Sequence, residues 1–333
     1  MNDFTSLVDL AAERLGGAVL AANDEFFAPR ENLLRAAAPV WREGEYTDRG
    51  KWMDGWETRR RRDGGGGHDW AIVRLGLPGR VRGVVVDTAF FRGNYPERCG
   101  LDACELPEGA PADAAALERA PWKVIVPETA LAGDTRNVLA VESGPPRATH
   151  VRLRIYPDGG VARLRVHGEA APNWPRLLAH GGLVDVAAVE HGGRVVAQSD
   201  AFFGHAGNML MPGRATHMGD GWETRRRRGP GHDWAIVRLG APCRPVRLEI
   251  DTDHFKGNAP GTCSLEGCRA AGDDVAGAAW TTLLSQTKLQ PHARHAFEAL
   301  ADAGEVTHVR LNIFPDGGIA RLRLFGTAIA SGT

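Results

Sequence analysis

The sequence predicts an all-β protein made of two tandem jelly-roll β-sandwich domains that arose by internal duplication. Three observations predict it. Five sequence blocks occur twice, in the same order. The apolar residues alternate with period two over short runs, the spacing of a strand with one buried face. Glycine (42 residues) and proline (20 residues) are abundant and stand between those runs, where turns are needed.

The repeat is the strongest signal. Leu7-Val-Asp-Leu-Ala-Ala returns at Leu183 as Leu-Val-Asp-Val-Ala-Ala. Asp54-Gly-Trp-Glu-Thr-Arg-Arg-Arg-Arg62 returns as Asp220 to Arg228, and Gly67-His-Asp-Trp-Ala-Ile-Val-Arg-Leu-Gly76 as Gly231 to Gly240. Asp87-Thr and Phe91-x-Gly-Asn return at Asp251 and Phe255, and Thr149-His-Val-Arg-Leu returns at Thr307. A unit of about 160 residues is a domain, far longer than the 20–50 residues of a stacked repeat. With 333 residues the chain has material for two cores. Pro172, Pro175 and the Gly181-Gly182 pair interrupt the pattern, so the expected domains are 1–172 and 180–333. Between the arginine run and His-Asp-Trp stand Asp63 to Gly67 in the first copy and Gly229-Pro-Gly231 in the second. Such length variation between fixed flanks marks a surface turn.

Val151, Leu153 and Ile155 alternate with Arg152, Arg154 and Tyr156. After Pro157-Asp-Gly-Gly160, Ala162, Leu164 and Val166 alternate with Arg163, Arg165 and His167. This reads as a hairpin around a Pro-Asp-Gly turn, repeated around Pro315-Asp-Gly-Gly318. Trp70 to Leu75 and Val81 to Val86 read as two further strands. Leu7 to Leu15, Ala112 to Arg119 and His292 to Ala301 are the helical candidates. Many short strands with turns between them indicate a sandwich or jelly roll.

Composition excludes several classes. Charged residues make up 24% and the formal net charge is -1, too little positive charge for a protein that grips nucleic-acid phosphates. No apolar run approaches the roughly 18 residues that span a bilayer, and Met1 to Leu10 lacks the pattern of a signal peptide. Five cysteines, an odd number, do not suggest a disulfide scaffold. A cytoplasmic protein is expected, with no nucleic-acid or membrane partner. Cys99-x4-Cys104 and Cys263-x4-Cys268 would place their sulfurs on opposite faces of a strand, which suits buried thiols better than zinc. The Gly64 to Gly67 run is followed by no Gly-Lys-Ser/Thr, so it is not a phosphate loop.

The paired Asp-Gly-Trp-Glu-Thr-Arg-Arg-Arg and Gly-His-Asp-Trp-Ala-Ile-Val-Arg-Leu-Gly blocks resemble allantoicase. So do Asp24-Glu-Phe-Phe-Ala-Pro29 with Glu31-Asn-Leu-Leu34, and Asp251-Thr-Asp-His-Phe-Lys-Gly-Asn258. The resemblance covers nearly the whole chain. It implies jelly rolls of the galactose-binding-like type, a small-molecule substrate, and hydrolysis of allantoate to ureidoglycolate and urea in allantoin breakdown. It also implies a homo-oligomer, with a hexamer as the suggested assembly. Two other readings stand beside it: a non-catalytic galactose-binding-like ligand module, and a hydrolase of a related ureido acid. The concentration of Arg, Glu, His and Asp in the repeat favours chemistry over lectin-type binding.

Allantoate carries a carboxylate and two ureido groups on one tetrahedral carbon, and water must replace one urea there. The reaction needs an arginine fork for the carboxylate, an acid for the departing nitrogen and a base for water or the remaining ureido N–H. The arginine runs offer Arg59, Arg61, Arg225 and Arg227, preceded by Glu57 and Glu223. The competing reading is a solvated strand edge. His68-Asp69 and His232-Asp233 are acid/base candidates or merely turn residues. Asp87 and Asp251 stand at strand ends. The second copy adds Asp253 and His254 where the first has Ala89 and Phe90, and Lys256 follows. Asp251, Asp253 and His254 read as an acid/base set, as a possible divalent-metal site with Glu223, or as turn chemistry. Asn94 and Asn258 are left-handed turn residues or amide donors to substrate. Glu223, His232, Asp233, Asp251, Asp253 and His254 form the expected catalytic group. The remaining candidates are expected to bind substrate. Gly204 to Gly207 replaces Ala28 to Glu31, so the two copies need not form equivalent sites.

Overall fold

The computed structural model describes residues 4–329 except 63–65, 108, 111–112, 143 and 180. Asp63 to Gly65 of the variable turn, Ala112 of one helical candidate and the first three residues of the N-terminus therefore lie outside the described residues. The chain divides into two compact units, one ending at Ala171 and one beginning at Pro172.

Each unit is a β-sandwich. The first contains β1 (Val8–Asp9), β2 (Ala18–Ala22), β3 (Tyr46–Thr47), β4 (Gly50–Lys51), β5 (Trp56–Glu57), β6 (Asp69–Asp87), β7 (Arg98–Cys104), β8 (Lys123–Ala130), β9 (Arg136–Ala140), β10 (Arg147–Tyr156), β11 (Gly160–Val161) and β12 (Arg163–Ala170). The main sheet runs β1-β12-β6-β10-β7-β8, with β2 and β9 also on β6. The second unit repeats this as β13 (Val184–Asp185), β14 (Arg194–Gln198), β15 (Trp222–Glu223), β16 (Asp233–Asp251), β17 (Thr262–Cys268), β18 (Thr281–Lys288), β19 (Arg294–Phe297), β20 (Val306–Phe314), β21 (Gly318–Ile319) and β22 (Arg321–Ala328). It has no counterpart of the β3–β4 ribbon among its described residues.

The 19-residue β6 organises the fold. Its first part, Asp69 to Arg74, pairs with β10 and β2, while Val81 to Asp87 pairs with β12 and β9. One strand thus serves both layers, where the alternation suggested two. Val73, Val84, Val86, Leu101, Val151, Leu153, Ile155, Leu164 and Val166 are fully buried between them. Each such side chain contributes about 1.5–3 kcal/mol on burial.

The expected Pro-Asp-Gly hairpin does not form. β10 pairs with β6 and β7, and β12 pairs with β6 and β1, so the turn carries the chain from one layer to the other. Period-two alternation identifies a strand with one buried face but does not name its partner. Arg152 and Arg154 are therefore separated from Arg163 and Arg165. The helical candidates also change. Leu7 to Leu15 holds β1 and a short 3-10 turn (Glu13–Leu15), and His292 to Ala301 holds β19. Only the middle candidate contains α-helix, Ala114–Glu118, whose N-cap is Asp113. At these lengths pairing with β12 and β16 outweighs local propensity.

Asp185 closes the second sandwich. Its Oδ1 accepts hydrogen bonds from Leu324 N (2.9 Å) and Ala187 N (3.2 Å). Burial pushes its carboxyl up to about 6, against the backbone donors and the Arg323 charge. The folded chain then holds this proton more tightly than the unfolded chain, whose value is near 3.8. The stabilising contribution is complete below that lower value and is lost as pH rises through about 6. The thermal midpoint of the parent relative to Asp185→Asn should therefore fall between pH 4.5 and 7. A relative midpoint that rises over that range contradicts the assignment.

Candidate active site

The Asp-Gly-Trp-Glu segment is held rigidly. Trp56 is fully buried and its Nε1 donates to Asp24 O at 2.8 Å. Glu57 pairs across β5–β11 with Gly160. On its other side the Glu57 carbonyl accepts from Phe27 N and Ala28 N, and Glu57 N donates to Ala28 O. Gly160 N donates to Asn94 O at 2.8 Å, which ties the Phe-x-Gly-Asn loop to the same point. A Cβ at position 160 would lie 1.9 Å from the buried ring of Phe91, so only glycine fits there.

This scaffold joins two side chains. Asn94 Nδ2 donates to Glu57 Oε1 at 2.7 Å. Burial pushes the Glu57 carboxyl above its ordinary range, and the Asn94 hydrogen bond only partly opposes it. Around the pair lies a cleft of about 420 Å³ whose other walls are Phe27, Trp41, Lys51, Met53, Phe90 and Arg92–Gly93. Lys51 sits over the Trp41 ring at 4.0 Å, and Arg92 Nε pairs with Asp134 Oδ2 at 3.0 Å. Phe90 takes the left-handed conformation (φ 69), with its N–H bonded to Asp134 Oδ1 at 2.8 Å. A bulky residue is rare in that region and persists where its surroundings enforce it, commonly at functional sites. The cleft offers a carboxyl that holds its proton more firmly than usual, an amide, two cations and aromatic walls.

The second unit repeats the pair: Asn258 Nδ2 donates to Glu223 Oε1 at 2.6 Å. Its surroundings differ. Leu34 and Asp54 are twenty positions apart, whereas Leu210 and Asp220 are ten apart. The longer segment of the first copy carries Trp41 and the β3–β4 ribbon with Lys51. In the second unit Met218 stands beside Asn258, and Phe202 and Phe203 remain 58% and 60% exposed.

The structure places most of the other expected site residues outside the Glu57–Asn94 cleft. Arg59 pairs with Asp24 at 2.6 Å and points largely to solvent, and Arg225 faces Asp200. Arg61 and Arg227 pair with the buried Asp69 and Asp233, which also bind Asn23 and Ser199. These four arginines and two aspartates brace the loop, and none of the first unit's three lines the cleft. His68 stands on the sheet face beside Tyr156, where burial and then the Arg154 and Arg152 charges lower its pKa. His232 stands against Phe314. Asp87 and Asp251 are buried turn caps that accept from Ala89 N (2.9 Å) and Asp253 N (2.8 Å).

The expected set Glu223, Asp251, Asp253 and His254 does not converge on one ion. Asp253 Oδ2 accepts from Arg214 at 2.8 Å and its Oδ1 lies 2.8 Å from His292 Nδ1, while His254 Nε2 meets Ala215 O at 3.0 Å. Among the described residues no group of three or more His, Cys, Asp or Glu side chains is placed to hold a metal. Lys256 is exposed beside Asn258. The two asparagines act through their amides and are absent from the left-handed residues. Lys51, Trp41 and Arg92 were not among the sequence candidates. The unequal spacing from Leu34 to Asp54 and from Leu210 to Asp220 marks the segment carrying the first two. Arg92 is the counterpart of Lys256 in Phe-x-Gly-Asn. All five cysteines are free and buried; burial pushes the Cys99, Cys243 and Cys263 thiols up to about 12.

Comparison with known proteins places the chain in a family. The Allantoicase family (allantoicase repeat) matches residues 8–171 and 184–329. A probable allantoicase of Pseudomonas aeruginosa is 49% identical over 330 residues, covering 97% of each chain. Probable allantoicase 2 of Burkholderia pseudomallei is 50% identical over 325 residues, covering 96% of this chain and 94% of that one. The crystal structure of allantoicase from Saccharomyces cerevisiae superposes with a TM-score of 0.79 at 34% identity, covering 97% of this chain and 96% of the other.

Proposed function

The chain belongs to the allantoicase family, and from that membership we propose that the Glu57–Asn94 cleft is where it hydrolyses allantoate. The protein is a hydrolase that converts allantoate and water to ureidoglycolate and urea. The observation that carries the placement is the half-buried Glu57, raised in pKa, held by Asn94 and enclosed with Lys51 and Arg92.

In this reading Lys51 and Arg92 hold the allantoate carboxylate by charge-assisted hydrogen bonds. Asn94 fixes one oxygen of Glu57 and leaves the other for the substrate. The protonated Glu57 gives its proton to the departing ureido nitrogen as the C–N bond breaks. Water then forms the new C–O bond and returns a proton to the Glu57 carboxylate, so atoms and charge balance. The raised pKa serves the first step by keeping more of the acid protonated. The Trp41, Phe27 and Phe90 walls limit water around the reacting carbon. Glu223–Asn258 is the counterpart pair, with a different wall. The free, buried cysteines support a cytoplasmic setting, and the exposed Phe202–Phe203 pair supports a homo-oligomer.

Replacing Lys51 with Met should raise KM for allantoate about 10-fold or more, since hydrogen bonds to charged groups contribute about 1.5–3 kcal/mol. kcat should change much less. Steady-state urea release measures both constants. An unchanged KM in Lys51→Met and in Arg92→Ala removes the carboxylate-binding role and with it this placement of the substrate.

A further inference from the structure

The two sheet faces, aligned by strand register, differ at one point. In the first unit Arg154 lies opposite Gly100 and beside Trp70; in the second Asn312 lies opposite Ser264 and beside Trp234. Likewise Asp102 and Arg152 correspond to Glu266 and Arg310. In the first unit the face is closed. Arg152 occupies Asp102 Oδ2 and Arg154 occupies Asp102 Oδ1, each with a guanidinium N–H. The Arg154 guanidinium lies directly over Gly100, where a Cβ would come within 2.9 Å of its terminal nitrogen.

The second unit lacks that guanidinium. Arg310 still pairs with Glu266 Oε2 and still packs over Trp280 at 4.7 Å, as Arg152 does over Trp122 at 4.9 Å. Asn312 reaches only Glu266 Oε2 (2.9 Å) and Ser264 Oγ (3.1 Å), and its Oδ1 meets His232 Nε2 at 3.2 Å. Among the described residues Glu266 Oε1 therefore accepts no hydrogen bond, whereas both oxygens of Asp102 do. Above it opens a polar groove of about 550 Å³, walled by Trp234, His232, Phe314 and Gln286.

We propose that this groove binds a small planar group rich in N–H donors, a guanidinium or ureido group, which takes the place that the Arg154 guanidinium fills in the first unit. Glu266 Oε1 accepts its paired N–H groups, and Trp234 and Phe314 supply flat apolar walls. The site is separate from the Glu57 cleft and does not depend on its assignment.

Calorimetric titration of the full chain tests this with two probes, methylguanidinium for the cationic source and methylurea for the neutral one. At least one should bind saturably. Glu266→Gln should weaken that binding at least 10-fold, and the double variant Ser264→Gly/Asn312→Arg, which restores the first unit's own guanidinium, should abolish it. Urea release from allantoate should persist in both variants, and their thermal unfolding should match the parent, which shows that the second unit still folds. Binding of methylguanidinium alone assigns a cationic ligand, and binding of methylurea a ureido ligand. Absence of saturable binding by either probe, or binding unchanged in both variants, overturns the proposal.

Discussion

Glu57→Gln should lower kcat for urea release about 10²–10⁴-fold, the usual range for removing a positioned acid–base group. The substitution removes the proton and little else. Gln keeps an oxygen to accept the Asn94 N–H, keeps the volume of the side chain, and leaves the β5–β11 pairing intact. Thermal unfolding should therefore match the parent closely, which separates loss of chemistry from loss of fold. Glu223→Gln provides the internal comparison, since Asn258 holds Glu223 in the same way. A large loss in Glu223→Gln together with a near-normal Glu57→Gln would move the chemistry to the second unit.

Arg163→Ala should destabilise the first unit by about 3–5 kcal/mol, the cost of stranding one member of a buried ion pair. The midpoint should fall by roughly 10 °C for a unit of this size. Arg163 and Asp54 side chains are 3% and 5% exposed and meet at 2.8 Å. Arg163 also donates to the carbonyls of Ala37, Asp54 and Ala162, so it fastens the segment that leads into Trp56 and Glu57. Burial alone would raise the Asp54 pKa, but the Arg163 hydrogen bond and then the Val40 N–H hold it below the ordinary range. Such a group contributes stability above its ordinary pKa, and that contribution is lost as pH falls through the depressed value. The variant should lose much of this pH-dependent part. Arg42→Ala, which breaks the exposed Arg42–Glu45 pair and the contact of Arg42 with the Trp52 ring, should cost less than about 2 kcal/mol. Equal effects of the two substitutions would contradict the account.

The repeat, the all-β class and the family were legible in the sequence because each rests on long, ordered pattern. The expected hairpin around Pro157 was not. Alternation shows that Leu153 and Leu164 face a core, but the pairing of their strands depends on β6, a partner remote in sequence. The site was legible in part. Glu57, Asn94, Glu223 and Asn258 were candidates on residue type and position, and the structure joins them in pairs. The arginine run reads in sequence as a substrate fork; in the structure Asp24, Asp69, Asp200 and Asp233 pair with Arg59, Arg61, Arg225 and Arg227, partners remote enough in sequence that the run itself does not name them all. Asp253 and His254 drew attention as chemistry present in one copy only. The converse difference, the segment with Trp41 and Lys51 present only in the first copy, builds the cleft wall. Its role depends on a chain excursion folding back over Glu57, which no local spacing encodes.

The most direct test is a crystal structure of Glu57→Gln soaked with allantoate, since a variant that binds without turnover retains its substrate. The account predicts density for the intact substrate between Asn94, Lys51 and Arg92, with the carboxylate toward the two cations and one ureido nitrogen against Gln at position 57. Density confined to the second unit, beside Glu223 and Asn258, with an empty first cleft would contradict it.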